Sequence, residues 1–285
     1  AGQYVAGACV GLYAAIAWQL PWYLCLLLAI AAGAFLGAIS GALRTYCNVN
    51  VVISGIMLNW IALYLTNLIL TTVKHPNSPY TKSLTAANPS ALIPSLGLSK
   101  LFAGEKTVTI AIPLAILMAV LVWVILNKTK FGYELKAVGL NKNAARYAGI
   151  NEKKNIILSM AIAGALAGFG AGLYYLSNVS QWNPLNSTSL PTMGFNGISV
   201  ALLASSNPIG TIFSAIFISH ISVGGSFLST KYYPTEISDL ISGIIIYLCA
   251  FSMLFRGKIH ALLFKNADKT NVNAEPAAPA KSATE

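Results

Sequence analysis

The polar side chains inside the apolar stretches of this sequence are almost all neutral. Hydroxyl and amide groups lie within these stretches, but no Asp or Glu lies near the middle of one, and only Glu236 and Asp239 approach an end. His220 is the one histidine well inside such a stretch, where packing is a more common role than proton transfer. Neutral groups suit hydrogen bonding to an uncharged solute, because burying an unpaired charge is costly.

Two pairs of neighbouring residues place an amide beside an aromatic ring. Asn59 precedes Trp60, and Phe195 precedes Asn196, each pair within an apolar run. Such pairs could bind an uncharged, partly aromatic or polyhydroxyl solute. Each amide could instead hold helices together through an interhelical hydrogen bond.

The sequence lacks the motifs of common catalytic and nucleotide-binding sites. It contains no GxxxxGK[ST] phosphate loop, no HExxH pair and no GxSxG turn. Its four cysteines include no CxxC pair and no clustered His/Cys ligand set, so we expect free thiols and no metal site. We therefore predict that the chain is not an enzyme and carries no cofactor.

The composition indicates that these residues lie in membrane-spanning helices. Of the 285 residues, 56% are apolar and 9% are charged, whereas a soluble domain has about 25% charged residues. Unbroken apolar runs argue against the alternating pattern of a β-barrel. We predict an all-α, polytopic bundle of about eight spans, with candidate spans near 5–18, 22–43, 51–73, 107–126, 155–177, 209–228 and 238–255.

Basic residues indicate the orientation of the spans. The loop at 127–154 holds seven Lys and Arg, and the tail after 255 holds five. Because such residues collect in cytoplasmic loops, we expect both regions to be cytoplasmic and the segment 74–106 to be external. The short segment 194–206 must then cross as a broken or half-depth helix. This collection of basic residues in cytoplasmic loops accounts for the net charge of +10. We therefore do not expect nucleic acid as a partner.

Two spans carry glycine at every fourth position. This spacing forms one helix face on which another backbone can approach closely. The two glycine ladders consist of Gly33, Gly37 and Gly41, and of Gly164, Gly168 and Gly172. Each ladder is followed by an Asn and a Ser in an apolar run, and the predicted topology makes the two spans antiparallel. An inverted repeat would give this pattern, and so would two ordinary helix contacts.

The chain divides into a membrane domain at 1–257 and a tail at 258–285. The tail is a low-complexity stretch that we expect to be cytoplasmic and disordered. The external segment 74–106 is rich in Asn, Ser, Thr and Pro, and could cap the bundle, bind an outer partner or be a connector. Because the sequence opens AGQY without Met, we expect it to be N-terminally incomplete.

The stretch FGYELKAVGLNKNAARYAGI at 131–150 is the most specific local pattern. Asn141 is placed to cap a short helix over 142–148, and Gly149 is placed to end it. The small side chains of Ala144, Ala145 and Ala148 would let that helix lie in a partner's groove. A short helix in a basic loop could also lie on the membrane surface.

Residues 137–150 resemble the cytoplasmic loop of ABC-importer permeases of the branched-chain amino acid, ribose and nucleoside superfamily. The stretches NVVISGIMLN at 50–59 and GFNGISVALL at 194–203 resemble, within it, the nucleoside permeases that work with a basic-membrane-protein type lipoprotein. The resemblance covers about residues 1 to 257. Family members are longer at the N-terminus, which implies that at least one span is absent here.

The resemblance implies an ATP-driven importer in the bacterial plasma membrane. Two permease subunits would form the pathway, cytoplasmic ABC ATPases would hydrolyse ATP, and an external lipoprotein would deliver a small solute, here a nucleoside. Asn59, Trp60, Phe195 and Asn196 would be candidates for the pathway. The coupling helix moved by the ATPase would include Gly139, Asn141, Ala144, Ala145, Arg146, Gly149 and Ile150.

Three other functions fit parts of the pattern. One is a permease for ribose or another simple sugar. Another is a secondary carrier coupled to an ion gradient, which the missing carboxylate within the spans disfavours. The third is a membrane scaffold without transport, and the resemblance of the cytoplasmic loop argues against it.

Overall fold

The computed structural model describes residues 1–97, 108–185 and 189–227, and isolated helical positions between 237 and 248. Within these residues the chain is helical, apart from turns and one isolated antiparallel bridge between Lys74 and Thr81. The predicted all-α architecture is confirmed. The predicted tail at 258–285 lies outside the described residues, as does most of the predicted span at 238–255.

Four of the described helices are long and apolar enough to cross a membrane, namely α2, α3, α5 and α8. The total of about eight spans stays a prediction. In chain order the helices are α1 (Gly2–Ile16), α2 (Trp22–Tyr46), α3 (Val51–Thr71), α4 (Leu84–Ala87), a 3-10 turn (Pro89–Ala91), α5 (Ala111–Lys128), α6 (Lys130–Leu140), α7 (Lys142–Tyr147), α8 (Glu152–Leu176), α9 (Met193–Leu203) and α10 (Gly210–Ser226).

The predicted half-depth segment at 194–206 corresponds to α9 and the turn after it. The 11 residues of α9 extend over about 16 Å, which is about half the thickness of the hydrocarbon core. Ser205 and Ser206 have positive φ angles of 51° and 59°, so the helix ends there. The length of α9 fits the predicted half-depth helix, and its crossing of the membrane stays a prediction.

The chain divides into two compact units. The first consists of residues 1–198 and 207–212, and it contains all four long apolar helices. The second consists of residues 199–206 and the described residues from 213 onward. It therefore holds the end of α9, the turn and most of α10.

The two glycine ladders lie directly against each other in the first unit. A Cβ added at Gly33 would strike the carbonyl oxygen of Gly164, and one added at Gly41 would lie 2.9 Å from the Cα of Ile157. The contacted residues on α8 have lower residue numbers as the glycines on α2 have higher ones, so the two helices are antiparallel. The glycines therefore bring two helix backbones into contact, with no side chain between them.

Helix α1 packs on the same glycine surface. A Cβ added at Gly7 would lie 2.5 Å from the Cα of Gly168, and a Cβ at Gly168 would strike the carbonyl oxygen of Ala29 on α2. Ala14 and Ala15 of α1 are completely buried. Helices α1, α2 and α8 thus form a core in which small residues determine how closely the backbones approach.

The described part of the predicted external loop closes one end of this core. Asn88 donates from Nδ2 to the carbonyl oxygens of Ala15 at 3.0 Å and Leu20 at 3.1 Å, which fastens the loop to the α1–α2 turn. The backbone N–H of Ile93 donates to the carbonyl of Leu176 at the end of α8. The segment 74–97 is therefore a packed cap rather than a free connector.

The basic loop lies at the opposite end of the core. Tyr46 ends α2, and Lys153 lies in the first turn of α8, with its Nζ 5.7 Å from the centroid of the Tyr46 ring. The cap and the basic loop are thus separated by the length of α2 and α8. Which of the two ends faces the cytoplasm stays a prediction from the distribution of Lys and Arg.

Candidate functional site

Three consecutive helices of the basic loop each begin with a capping side chain. The side-chain oxygens of Thr129, Asn141 and Asn151 accept hydrogen bonds of 3.0–3.2 Å from backbone N–H groups in the first turns of α6, α7 and α8. These N–H groups have no partner within their own helix. Each cap typically stabilises its helix by about 1 kcal/mol. The caps fix the directions in which the three helices leave their turns.

Helix α7 is short and has a defined start and end. It covers Lys142–Tyr147, and Gly149 follows with a φ of +78°. The N–H of Gly149 donates to Arg146 O at 3.1 Å, and the N–H of Ile150 donates to Ala145 O at 3.0 Å. A left-handed glycine with such hydrogen bonds is the common way for a helix to end. The predicted cap at Asn141 and the predicted end at Gly149 are confirmed.

Helix α6 is hydrogen-bonded to the long helices on both sides of the basic loop, α5 and α8. Asn155, which is buried in α8, donates from Nδ2 to Glu134 Oε2 at 3.2 Å. Lys136 donates from Nζ to Asn127 Oδ1 at the end of α5, at 2.7 Å. These bonds connect the loop to two long helices. They hold α6, the helix that precedes α7, against both.

The exposed surface of α7 differs in part from the predicted one. Ala145 points into the protein and is 3% exposed, so it does not belong to that surface. Tyr147, the last residue of α7, is 96% exposed, and Leu140, the last residue of α6, is 88% exposed. Ile150 is half-buried, and the other predicted coupling residues are exposed, namely Gly139, Asn141, Ala144, Arg146 and Gly149.

Sequence reasoning missed Tyr147 and Leu140. The available signal was a bulky apolar side chain on either side of a short segment, 141–146, that is otherwise polar or small. Large apolar groups exposed on a polar surface are typical of a contact with another protein.

The two helices that carry the predicted pathway residues, α3 and α9, both contact the beginning of α1. The N–H of Gly2 donates to Asn59 Oδ1 on α3 at 2.6 Å. The hydroxyl of Tyr4 contacts Met193 Sδ at 3.5 Å, at the start of α9. The beginning of α1 thus lies against both α3 and α9, which carries Phe195 and Asn196. The predicted role of Asn59 in the pathway stays a prediction.

Trp60 forms an aromatic pair with a residue that the sequence analysis did not select. Its ring is stacked on Tyr64, with a centroid distance of 6.0 Å and an interplanar angle of 25°. Trp60 is 38% exposed, and Tyr64, Phe195 and Asn196 are exposed as well. The spacing of four residues on one helix could have pointed to Tyr64. The pair gives α3 a flat aromatic surface with no charged group, because α3 contains none.

The described residues offer no grouping of three or more His, Cys, Asp or Glu that could hold a metal ion. The described residues form a bundle of apolar helices with a basic, helical loop at one end. The chain belongs to the family of the branched-chain amino acid transport system, permease component, whose model matches residues 1–250. The predicted superfamily is thus confirmed, and so is an integral position in the cell membrane.

Curated relatives narrow this assignment. The chain is 35% identical over 256 residues to the nucleoside ABC transporter permease protein NupB of Lactococcus lactis, covering 86% of the chain and 68% of the relative. It is 32% identical over 272 residues to the guanosine ABC transporter permease protein NupP of Bacillus subtilis, covering 94% and 76%. It is 27% identical over 267 residues to the glucose ABC transporter permease protein TsgB13 of Haloferax volcanii, covering 90% and 69%. No solved structure matches the chain.

The predicted class of protein is therefore confirmed. The chain is a permease component of the ABC transporter type, and such a component is the non-enzymatic part of its system.

Proposed function

We propose that this chain is the permease subunit of an ATP-driven importer of nucleosides. The similarity to NupB and NupP, which are named for nucleosides and guanosine, extends over most of the chain. The second candidate solute is a simple sugar, which the weaker similarity to a glucose permease favours.

The aromatic surface on α3 is the structural feature that favours a nucleoside over a simple sugar as the solute. Trp60 and Tyr64 are stacked and partly exposed on a helix without charged residues. A purine or pyrimidine base has a flat face that can stack on such rings, and base stacking on an aromatic side chain typically contributes about 1–3 kcal/mol. The exposed Asn196 could add hydrogen bonds to a base edge or a ribose hydroxyl.

We further propose that α7 is the coupling helix and that a separate cytoplasmic ABC ATPase docks on it. The support is its fixed attachment through the capped helices and the exposed side chains of Leu140 and Tyr147. A second permease subunit would complete the pathway, and an external lipoprotein would deliver the solute. In this arrangement ATP binding and hydrolysis move α7, and the movement reaches the core through α8.

Replacing Trp60 with Ala should lower guanosine uptake into membrane vesicles about tenfold, since it removes one stacking surface. Trp60→Phe should keep most of the uptake. Trp18→Ala is the matched control, because Trp18 is also exposed but lies in the α1–α2 turn at the capped end. Uptake should require ATP, and unlabelled guanosine should compete far better than ribose or glucose.

Three results would contradict the proposal. Competition by ribose equal to that by guanosine would favour the sugar alternative. Full uptake by Trp60→Ala would remove the aromatic surface from the pathway. Uptake driven by an ion gradient without ATP would favour a secondary carrier.

A further inference from the structure

Trp182 is a buried side chain in a segment without helical structure, between α8 and α9. It is 3% exposed, whereas Gln181 beside it and Leu185 shortly after it are exposed. A buried indole usually donates its N–H to a partner. Here Nε1 of Trp182 donates to Oδ1 of Asn67 on α3 at 2.9 Å, across 115 positions of the chain. This bond fastens the connecting segment to α3.

Asn67 lies on the same stripe of α3 as the aromatic surface formed by Trp60 and Tyr64. It follows Tyr64 by three positions and Trp60 by seven, so at 3.6 residues per turn the three side chains fall within about 60° around the helix. Trp182 therefore binds α3 about one turn beyond Tyr64. Because rotation of α3 about its axis would break this bond, the bond fixes the direction in which Trp60 and Tyr64 point.

Two further contacts hold Trp182 in place. Its carbonyl oxygen accepts a hydrogen bond of 2.8 Å from the N–H of Thr81, in the cap at 74–97. Its ring packs on Tyr175 of α8, with a centroid distance of 5.8 Å and an interplanar angle of 60°. The cap, α8 and α3 thus meet at one side chain, so Trp182 orients α3 relative to the other two.

The same rings extend to the start of α9. The Tyr175 ring lies 6.2 Å from the ring of Tyr4, and both tyrosines are 8% exposed. The hydroxyl of Tyr4 contacts Met193 Sδ, in the first residue of α9. A buried cluster of Tyr4, Tyr175 and Trp182 therefore connects α3 with the beginning of α9. These are the two helices that carry the predicted pathway residues.

We propose that Trp182 is a positioning residue for the solute pathway. It holds the aromatic surface on α3 in the orientation that lets a nucleoside base stack on Trp60 and Tyr64. This inference rests on the proposed function, in which the base stacks there. Trp182 does not touch the solute, because its side chain is buried, and it acts through its hydrogen bond to α3. Its role therefore requires the indole N–H and not only a ring of similar shape.

The test measures the initial rate of ATP-dependent guanosine uptake by the assembled transporter in vesicles, per permease molecule in the membrane. Trp182→Phe removes the N–H donor and keeps an aromatic ring. It is made alone and together with Trp60→Ala, which removes the stacking ring. The matched control is Trp22→Phe, since Trp22 is a partly buried indole at the start of α2, at the same capped end of the core.

Trp182→Phe should lower the uptake rate about fivefold, which corresponds to the loss of one hydrogen bond of about 1 kcal/mol. Trp22→Phe should match wild type. In the Trp60→Ala background, Trp182→Phe should lower the rate by less than a further twofold, because the stacked pair that it orients no longer exists. If Trp182→Phe does not reach the membrane, Asn67→Leu removes the acceptor instead and should give the same two results.

A residue that only stabilises the fold would act independently of Trp60, and the two losses would multiply to about fiftyfold. A further loss of twofold or more in the Trp60→Ala background therefore overturns the proposal. So does a loss in Trp22→Phe equal to that in Trp182→Phe. Wild-type uptake by Trp182→Phe, with uptake impaired by Trp60→Ala, overturns this inference alone. Full uptake by Trp60→Ala overturns it together with the proposed role of the aromatic surface.

Discussion

Tyr147→Glu is expected to abolish uptake while the protein stays in the membrane at its normal level. The side chain is almost fully exposed, so its replacement removes no contact within the chain. In the assembled transporter, the same position would be covered by the ATPase, and an unpaired carboxylate there would cost several kcal/mol of docking energy. A loss of that size weakens the contact more than a hundredfold. The measurement is ATP-dependent uptake in vesicles, together with the amount of ATPase that co-purifies.

Two other substitutions make this result specific. Tyr147→Phe should retain uptake, because it keeps the apolar ring. Tyr133→Glu places the same charge on an exposed tyrosine of α6 and should retain most of the uptake. Wild-type uptake by Tyr147→Glu would contradict the assignment of α7 as the coupling helix. Ala145→Glu is not a suitable test, because that side chain is buried and a charge there would disturb folding.

Gly168→Ala is expected to destabilise the protein strongly, although it adds a single methyl group. That methyl would strike the carbonyl oxygen of Ala29, and the Cα of Gly33 would be 3.2 Å away. Both obstacles are backbone atoms, so the helices must move apart and the neighbouring contacts of the ladder weaken. Overpacking typically costs about 1–3 kcal/mol, and we expect a value at the upper end here. The thermal midpoint of the purified protein measures the effect.

Gly170→Ala is the matched control on the same helix. Gly170 lies two positions further along α8, and nothing is within 4 Å of an added Cβ. Because Ala favours a helix over Gly by about 1 kcal/mol, this variant should be as stable as wild type or slightly more stable. Equal thermal midpoints for the two variants would contradict the close contact between the ladders.

The features that could be predicted from the sequence depend on neighbouring residues. The cap at Asn141 and the end at Gly149 lie within one short segment, and the glycine spacing defines a face within one helix. The contact between the two ladders could not be predicted, since they lie more than 100 residues apart and each could have packed elsewhere. Local rules give helix boundaries and faces, whereas the choice of partner depends on the whole fold.

The positions of individual side chains also depend on the whole fold and could not be predicted from neighbouring residues. The sequence does not distinguish Ala145 from Ala144, because a helix of 6 residues is too short for its pattern to separate an inner from an outer face. The contact of Asn59 with Gly2 joins residues 57 positions apart, and neither neighbourhood in the sequence indicates it. Asn88 lies in a polar stretch that gives no hint of its two bonds to the α1–α2 turn.

Labelling of residue 147 is the most direct test of whether a separate ATPase binds the chain on its cytoplasmic side. The variant Tyr147→Cys is made with the exposed Cys47 and with Cys249 both replaced by Ala. It is treated with a membrane-impermeant maleimide in intact cells and in inverted vesicles. We predict labelling only in inverted vesicles, and protection of the cysteine when the ATPase subunits are bound. Labelling in intact cells, or labelling that the ATPase does not reduce, would contradict the account.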